Sequence, residues 1–477
     1  MRISFATAVA GWTMIAAILA SAQQSGAGSQ NATRDQAPQN QTSQTSQSTS
    51  SGQSNTASQT ANQSANQTNA EASFKCKNPA DPRRRRGECN DQEFTLDETL
   101  ARGWNELRRE MQRIGITPTA SYTGALQTNA TGGHDQVWSY AGLLSLGFSA
   151  DFEELLRAKG LSAYVGFSWG TGSYLSGSLN ATIPTSGLYA PTYYLGEMYL
   201  QQKLLKQKLI ILAGRIAASY GFASLPVYAN YVTYGINPDP FSLGANDVTF
   251  YGPPPGIEWG AQISYLATPK LQLNGGVFNT NINSANGANH GTDFTLQEGN
   301  KGMLVIGEID YLHNQSSSAK GKPGQITAGV LHSNNSFPHL NNPLLRSNGY
   351  TGAYVMGQQM IFRPEGIGSS RGATIWAGWT YNSHNIICPI PSFWSVGASY
   401  QGLIPPRKND ILSVAVLRAD GSKFAAPENT EGMLEVNYEW IHSRYLAITP
   451  HMQYLWGLQN QKGPNAVVAG IQLGITL

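Results

Sequence analysis

Charge is what this sequence has least of. Asp, Glu, Lys and Arg supply 13% of its 477 residues, where soluble domains carry about 25%. Nor does one sign dominate: from Pro118 onward there are 19 Lys+Arg and 19 Asp+Glu, so the pI near 8.3 comes from the N-terminal segment. A basic nucleic-acid surface is therefore not indicated. Beyond residue 22 no run of 18 apolar residues occurs, which leaves no segment that reads as a transmembrane helix. The eight His residues show no H-E-x-x-H spacing and no clustered Cys/His set, and there is no Gly-rich phosphate loop. No metal or other cofactor is expected. Cysteine is scarce too, with Cys76, Cys89 and Cys388 alone. The first two bracket "KNPADPRRRRGE", and in an exported chain a local disulfide is a plainer reading than a metal site.

Against these absences stand 51 Gly, 22 Tyr and 10 Trp. Low charge with many glycines and aromatics suits a transmembrane β-barrel: the lipid face excludes charge, the lumen takes small polar residues and the rims take Tyr and Trp. Trp259, Trp379, Trp394, Trp440 and Trp456 are assigned to such rims.

Residues 1–22, "MRISFATAVAGWTMIAAILASA", have a basic start, an apolar stretch and a small-residue ending, the pattern of a cleaved export signal. From 23 to 73 the chain is rich in Gln, Ser, Asn, Thr and Ala and reads as a disordered tether. A segment over 74–117 follows and holds the basic run Arg83 to Arg86. It ends in a helix expected at 96–113, with Leu100, Trp104, Leu107, Met111 and Ile114 on one face.

At Pro118 the period changes from 3.6 to 2. Sixteen strands are expected over 118–477, near 118–128, 139–152, 161–171, 192–202, 208–217, 257–267, 270–280, 302–313, 324–334, 349–363, 372–382, 392–403, 410–419, 430–441, 444–456 and 466–476. Most are about ten residues long, enough to cross a bilayer when tilted. Short turns at "KQK", "ATPK", "PPRKN" and "HSR" alternate with long loops at 172–191, 218–256 and 281–301, as in outer-membrane barrels with short periplasmic turns. "IEWGAQISY" places Ile257, Trp259, Ala261, Ile263 and Tyr265 outward, whereas strands 9, 10 and 13 alternate poorly. In the terminal "NAVVAGIQLGITL", odd positions from Val467 to Leu477 form the outward face of a last strand that closes on the first.

Six blocks resemble the OprB-type carbohydrate-selective porins. They are "LARGWNELRREMQRIGITPTASYTGALQTNATGG", "GEMYLQQKLLKQKLIILAGRIAASYGFA", "HGTDFTLQEGNKGMLVIGEIDYL", "GYTGAYVMGQQMIF", "WSVGASYQGLIPPRKNDILSVAVLRAD" and "LEVNYEWIHSRYLAITPHMQYLWG", in order from about Leu100 to Leu477. The resemblance implies a 16-stranded outer-membrane channel for sugars with a charged and polar constriction. The chain departs from the family pattern at Gln358, where an acid is usual, and at Leu477, where Phe is frequent. Trimeric assembly follows by fold analogy alone.

Such a channel needs several weak hydrogen-bonding sites in a wet passage. Parity sends Glu197, Arg215, Glu258, Glu308, Asp310, Glu435 and Glu439 to the lumen, with Glu197 and Arg215 expected to form an inward ion pair at the constriction. The plainer alternative for each is bracing of the wall. Loop 218–256 either folds inward, offering Tyr228, Tyr231, Tyr234, Phe241 and Tyr251 for stacking on sugar rings, or packs outside on its own aromatics. A hydrolase reading has only "GFSWG", whose Ser168 falls inside a strand rather than at the strand-to-helix turn that motif requires. The expected partners are sugars or other small polar solutes and outer-membrane lipid. The alternative function is a general or structural barrel whose N-terminal segment binds cell wall or a partner.

Overall fold

A computed structural model describes residues 95–477 except 134–135, 189–191, 251–256, 281–286, 296–301, 317, 426–429 and 459–462. The expected export signal, tether and Cys76–Cys89 disulfide, and the Arg83 to Arg86 run, lie outside the described residues.

Helix α1 (Thr95–Arg113) leads into sixteen strands: β1 (Ile116–Thr131), β2 (Trp138–Asp151), β3 (Leu161–Gly172), β4 (Thr192–Leu204), β5 (Leu209–Ile216), β6 (Glu258–Thr268), β7 (Leu271–Asn279), β8 (Met303–His313), β9 (Gly324–Pro338), β10 (Arg346–Phe362), β11 (Gly372–Asn382), β12 (Ser392–Gln401), β13 (Ile411–Asp420), β14 (Glu431–Ile441), β15 (Leu446–Trp456) and β16 (Ala466–Thr476). Every strand pairs antiparallel with its chain neighbours, and β16 pairs with β1, so the sheet is a closed barrel. At the seam Leu126 faces Ile471, and the Leu477 N–H donates to the Ala120 carbonyl at 2.8 Å. Closure removes the edge that lipid could not hydrate.

Alternation divides each strand between the two faces. In β8, Val305, Ile309 and Tyr311 are exposed on the outside, while Leu304, Ile306, Glu308 and Asp310 are buried inside. The largest buried side chains therefore lie in the lumen. Trp379, Trp394 and Trp440 stand exposed on the outer surface, as expected of girdle residues. Ile257 does not: it precedes β6 and is buried.

At the short-turn end, Gly115 joins α1 to β1 with φ +77°, and an added Cβ there would meet the Asp151 carbonyl at 3.0 Å. Asn105 of α1 donates to the Tyr445 hydroxyl in the β14–β15 turn at 2.8 Å. The helix turns Trp104 and Met111 toward the protein but leaves Leu107 and Ile114 51% and 52% exposed. The expected apolar face is thus rotated, because Asn105 rather than Leu107 meets the barrel. In the β12–β13 turn Arg407 grips Asp410 with two hydrogen bonds of 2.8 and 2.9 Å.

Ile471 sits at the middle of β16, 46% exposed on the outer face. Ile471→Arg should lower folding stability in vesicles by about 2–4 kcal/mol, the cost of a cation at the bilayer midplane. A denaturant titration of the reconstituted barrel measures it, and an unchanged midpoint would remove this face from lipid.

Candidate functional site

Two connections on the long-loop side run into the barrel instead of over it. The longer, residues 217–250, is apolar and aromatic: Leu225, Val227, Tyr228, Tyr231, Tyr234, Ile236, Phe241, Leu243 and Phe250 are all buried. Burial of those side chains drives the segment into the lumen, but its backbone amides then need acceptors. The wall provides them. Glu308 on β8 accepts from the Ala223 N–H and the Tyr354 hydroxyl, both at 2.7 Å. Gln358 on β10 accepts from the Val227 N–H at 3.0 Å. On β14 the two oxygens of Glu435 each take one of the consecutive N–H groups of Val232 and Thr233, at 2.8 Å.

The shorter segment, 173–188, contains helix α2 (Leu175–Leu179) and is held the same way. Its Thr182 and Ile183 N–H groups donate to the two oxygens of Glu431, each at 2.8 Å. Glu431 and Glu435 lie four residues apart, hence on one face of β14. The Thr233 hydroxyl bonds the Pro184 carbonyl at 2.7 Å and ties the two segments together.

Tyr231 shows how tightly the longer segment is fastened. Its hydroxyl receives the Trp376 indole N–H at 2.8 Å and donates toward the carbonyls of Ala398 and Val414. Both Tyr228 and Tyr231 meet the Trp376 ring edge-on, with centroids 5.0 and 5.4 Å away. The loop therefore folds inward, but its aromatics are sealed against the wall: Tyr228 is 0% exposed, and Tyr234 and Phe241 are nearly as covered. Stacking surfaces for sugar rings are not what they provide. Tyr251 lies outside the described residues.

A cavity of about 220 Å3 remains between the longer segment and the wall of β7, β8 and β9. The wall side is polar throughout, with Gln272, Asn274, Glu308, Asp310 and Gln325. Tyr220, Gly221, Ser224, Leu225, Pro226, Ala229, Asn237 and Pro238 form the other side. Asp310 accepts from the Thr327 hydroxyl at 2.5 Å and the Asn274 amide at 2.7 Å, and Asn274 also reaches Glu308 at 2.9 Å. This amide and carboxylate surface offers donors and acceptors in close succession to a polar solute.

Of the residues expected in the lumen, Glu308 and Asp310 come together here, and Glu435 acts as a fastener. Glu258 is buried at the start of β6, and Glu439 is half-buried near the short-turn end of β14. Glu197 faces inward among Tyr164, Tyr199 and Tyr220, and neither carboxylate oxygen has a hydrogen-bond partner among the described residues.

Arg215 overturns its expectation. It pairs in register with Trp259 and Met198, and the exposed Ile263 and Tyr265 share its face, so it points outward, away from Glu197. It is nonetheless 2% exposed, because residues 287–295 cross the outer wall above it. The guanidinium donates to the Gly291 carbonyl and lies 5.1 Å from the Phe294 ring centroid. Asp293 is held below the ordinary carboxylate range, first by the Thr295 hydroxyl and amide and to a smaller extent by Arg215. This strap exists because β5 leaves the wall early. The β4–β5 pairing stops at Met198 and Arg215, and the strap carries the ladder on, with the Leu195 N–H donating to the His290 carbonyl at 2.9 Å.

A family model described as "Carbohydrate-selective porin, OprB family" matches residues 135–477. The chain belongs to the OprB family. Among solved structures, the high-pH form of Pseudomonas putida OprB is similar at 20% identity and a TM-score of 0.68, covering 78% of this chain and 97% of the other. The low-pH form gives 18% identity and a TM-score of 0.53, covering 82% and 100%. Among curated proteins none matches. Family and fold make this porin a bacterial outer-membrane channel for carbohydrates rather than an enzyme. Ser168 accordingly sits inside β3, buried on the lumen face opposite Ser145.

Glu431 and Trp376 were not anticipated, and Gln358 was singled out only as a departure from the family pattern. The first was legible as the third member of a four-residue spacing, Glu431, Glu435 and Glu439, on one strand face. The others carry no local signal, since their partners lie in a distant segment.

Two variants separate fastening from strap. Glu435→Ala leaves the Val232 and Thr233 N–H groups unpaired, costing about 1–3 kcal/mol for each orphaned donor. The longer segment should come free, with larger and noisier single-channel conductance in planar bilayers while the barrel still assembles. Arg215→Ala should leave conductance unchanged and make residues 287–295 newly sensitive to protease, as read on intact vesicles.

Proposed function

We propose that this porin passes carbohydrates and other small polar solutes by passive diffusion, along the polar cavity beside the longer inward segment. The observation that carries the reading is the opposition of an immobilised segment to a wall of amides and carboxylates. Gln272, Asn274, Asp310 and Gln325 line that wall, on three adjoining strands. Such groups bond vicinal hydroxyls weakly and repeatedly, so a sugar enters and leaves without any one site holding it. The constriction in this reading is fixed in place rather than gated, because Glu308, Glu431 and Glu435 hold backbone N–H groups of the inward segments. Residues 1–22 then serve as the export signal and 23–73 as the tether of the mature chain.

Single-channel recording with glucose or maltodextrin added tests it. Current through the open channel should fall as sugar is raised, and more steeply for wild type than for Gln325→Ala. Absence of any conductance would refute the channel, and conductance indifferent to sugar would make it a general pore.

A further inference from the structure

The sixteen strands contain four Lys and Arg residues, Lys203, Arg215, Arg346 and Arg418. None of them stands in the middle of the lumen. Lys203 is exposed beside the β4–β5 turn, and Arg215 lies on the outer face under the strap. Arg346, near the long-loop end, donates to Ser336, and Arg418 is exposed there in an ion pair with Asp420 at 2.7 Å. The inward segments 173–188 and 217–250 contain no Lys, Arg or His at all. Meanwhile Glu308 and Asp310 line the cavity, and every hydrogen bond the structure gives them comes from a neutral donor. Among the described residues no Lys or Arg lines the cavity to offset these acceptor-only carboxylates.

We infer that the passage sorts solutes by charge, admitting neutral and amine-bearing sugars and turning away sugar acids and sugar phosphates. The inference rests on the channel reading above and adds a substrate class to it. A narrow cleft with walls of low polarisability concentrates the field of the charges that line it. A carboxylate on the solute is repelled beside Asp310, whereas a hydroxyl finds acceptors there and an ammonium finds an opposite charge.

Vesicles loaded with purified full-length protein, at low salt, decide the matter through the entry of glucose, glucosamine and gluconate, which are of similar size. Gluconate should enter about fivefold more slowly than glucose, the weight of one carboxylate at contact distance in water. The gap should narrow in high salt, as screening shortens the reach of the field. In a potassium chloride gradient the reversal potential should carry the sign of potassium. Asp310→Asn keeps the shape and the side-chain neighbours but removes the charge, and should raise the gluconate-to-glucose ratio toward one. Arg215→Ala, on the outer face, should leave that ratio as it is. Gluconate entering wild-type vesicles as fast as glucose overturns the charge sorting alone. A vesicle that admits none of the three overturns the channel reading and this inference with it.

Discussion

In the hydrocarbon of a membrane or the sealed interior of a barrel, a backbone N–H without an acceptor is among the costliest features a chain can have. Three parts of this molecule answer that one constraint. The strands answer it by closing, β16 onto β1, through main-chain bonds that need no particular side chain. The early departure of β5 leaves part of β4 without its neighbour, and the strap at 287–295 supplies a carbonyl to Leu195. The inward segments lie beyond the reach of the ladder and receive side-chain acceptors from the wall instead. Carboxylates suit that task because one Glu offers two oxygens to consecutive N–H groups, as Glu431 and Glu435 both do.

This division of labour sets what remains for a solute. A carboxylate used as a clamp is largely withdrawn from the passage, and an aromatic ring sealed against the wall offers no face to a sugar. On the proposed route, what is left for a solute is therefore the side of the cavity where β7, β8 and β9 present amides and Asp310. There the acid is bonded by side chains alone, so it shapes the passage without holding the segment.

The sixteen strands and the inward turn of Glu308, Asp310 and Glu435 were legible because the lipid boundary enforces a period of two along each strand. The same logic failed at Arg215. Charge was placed inward on the premise that the outer face touches lipid, and over Arg215 it touches the strap, which a local reading of "AGRI" has no means of registering. The poor alternation of strands 9, 10 and 13 has its cause inside the barrel. Leu331, Tyr354, Met356, Ala415 and Leu417 are apolar on the lumen face because an apolar segment lies against them. Broken alternation in a barrel strand is thus a record of what fills the lumen, and the fastening by Glu431 and Gln358 stayed hidden because each pairs with backbone more than 100 residues away.

Charge shows the same sorting on a larger scale. From Pro118 onward the sequence is balanced, 19 against 19, yet the two signs occupy different places. Lys and Arg crowd the turns and strand ends, at Lys206, Lys208, Lys270, Arg371, Arg407 and Arg444, where a long side chain reaches water. Glu and Asp are short enough to lie buried within the wall, and the strands collect them at 197, 258, 308, 310, 431 and 435. A neutral composition is therefore compatible with a lumen of one sign. The net charge of a barrel reports on its rims and its wall together, and only the register of each charged residue says which of the two a passing solute meets.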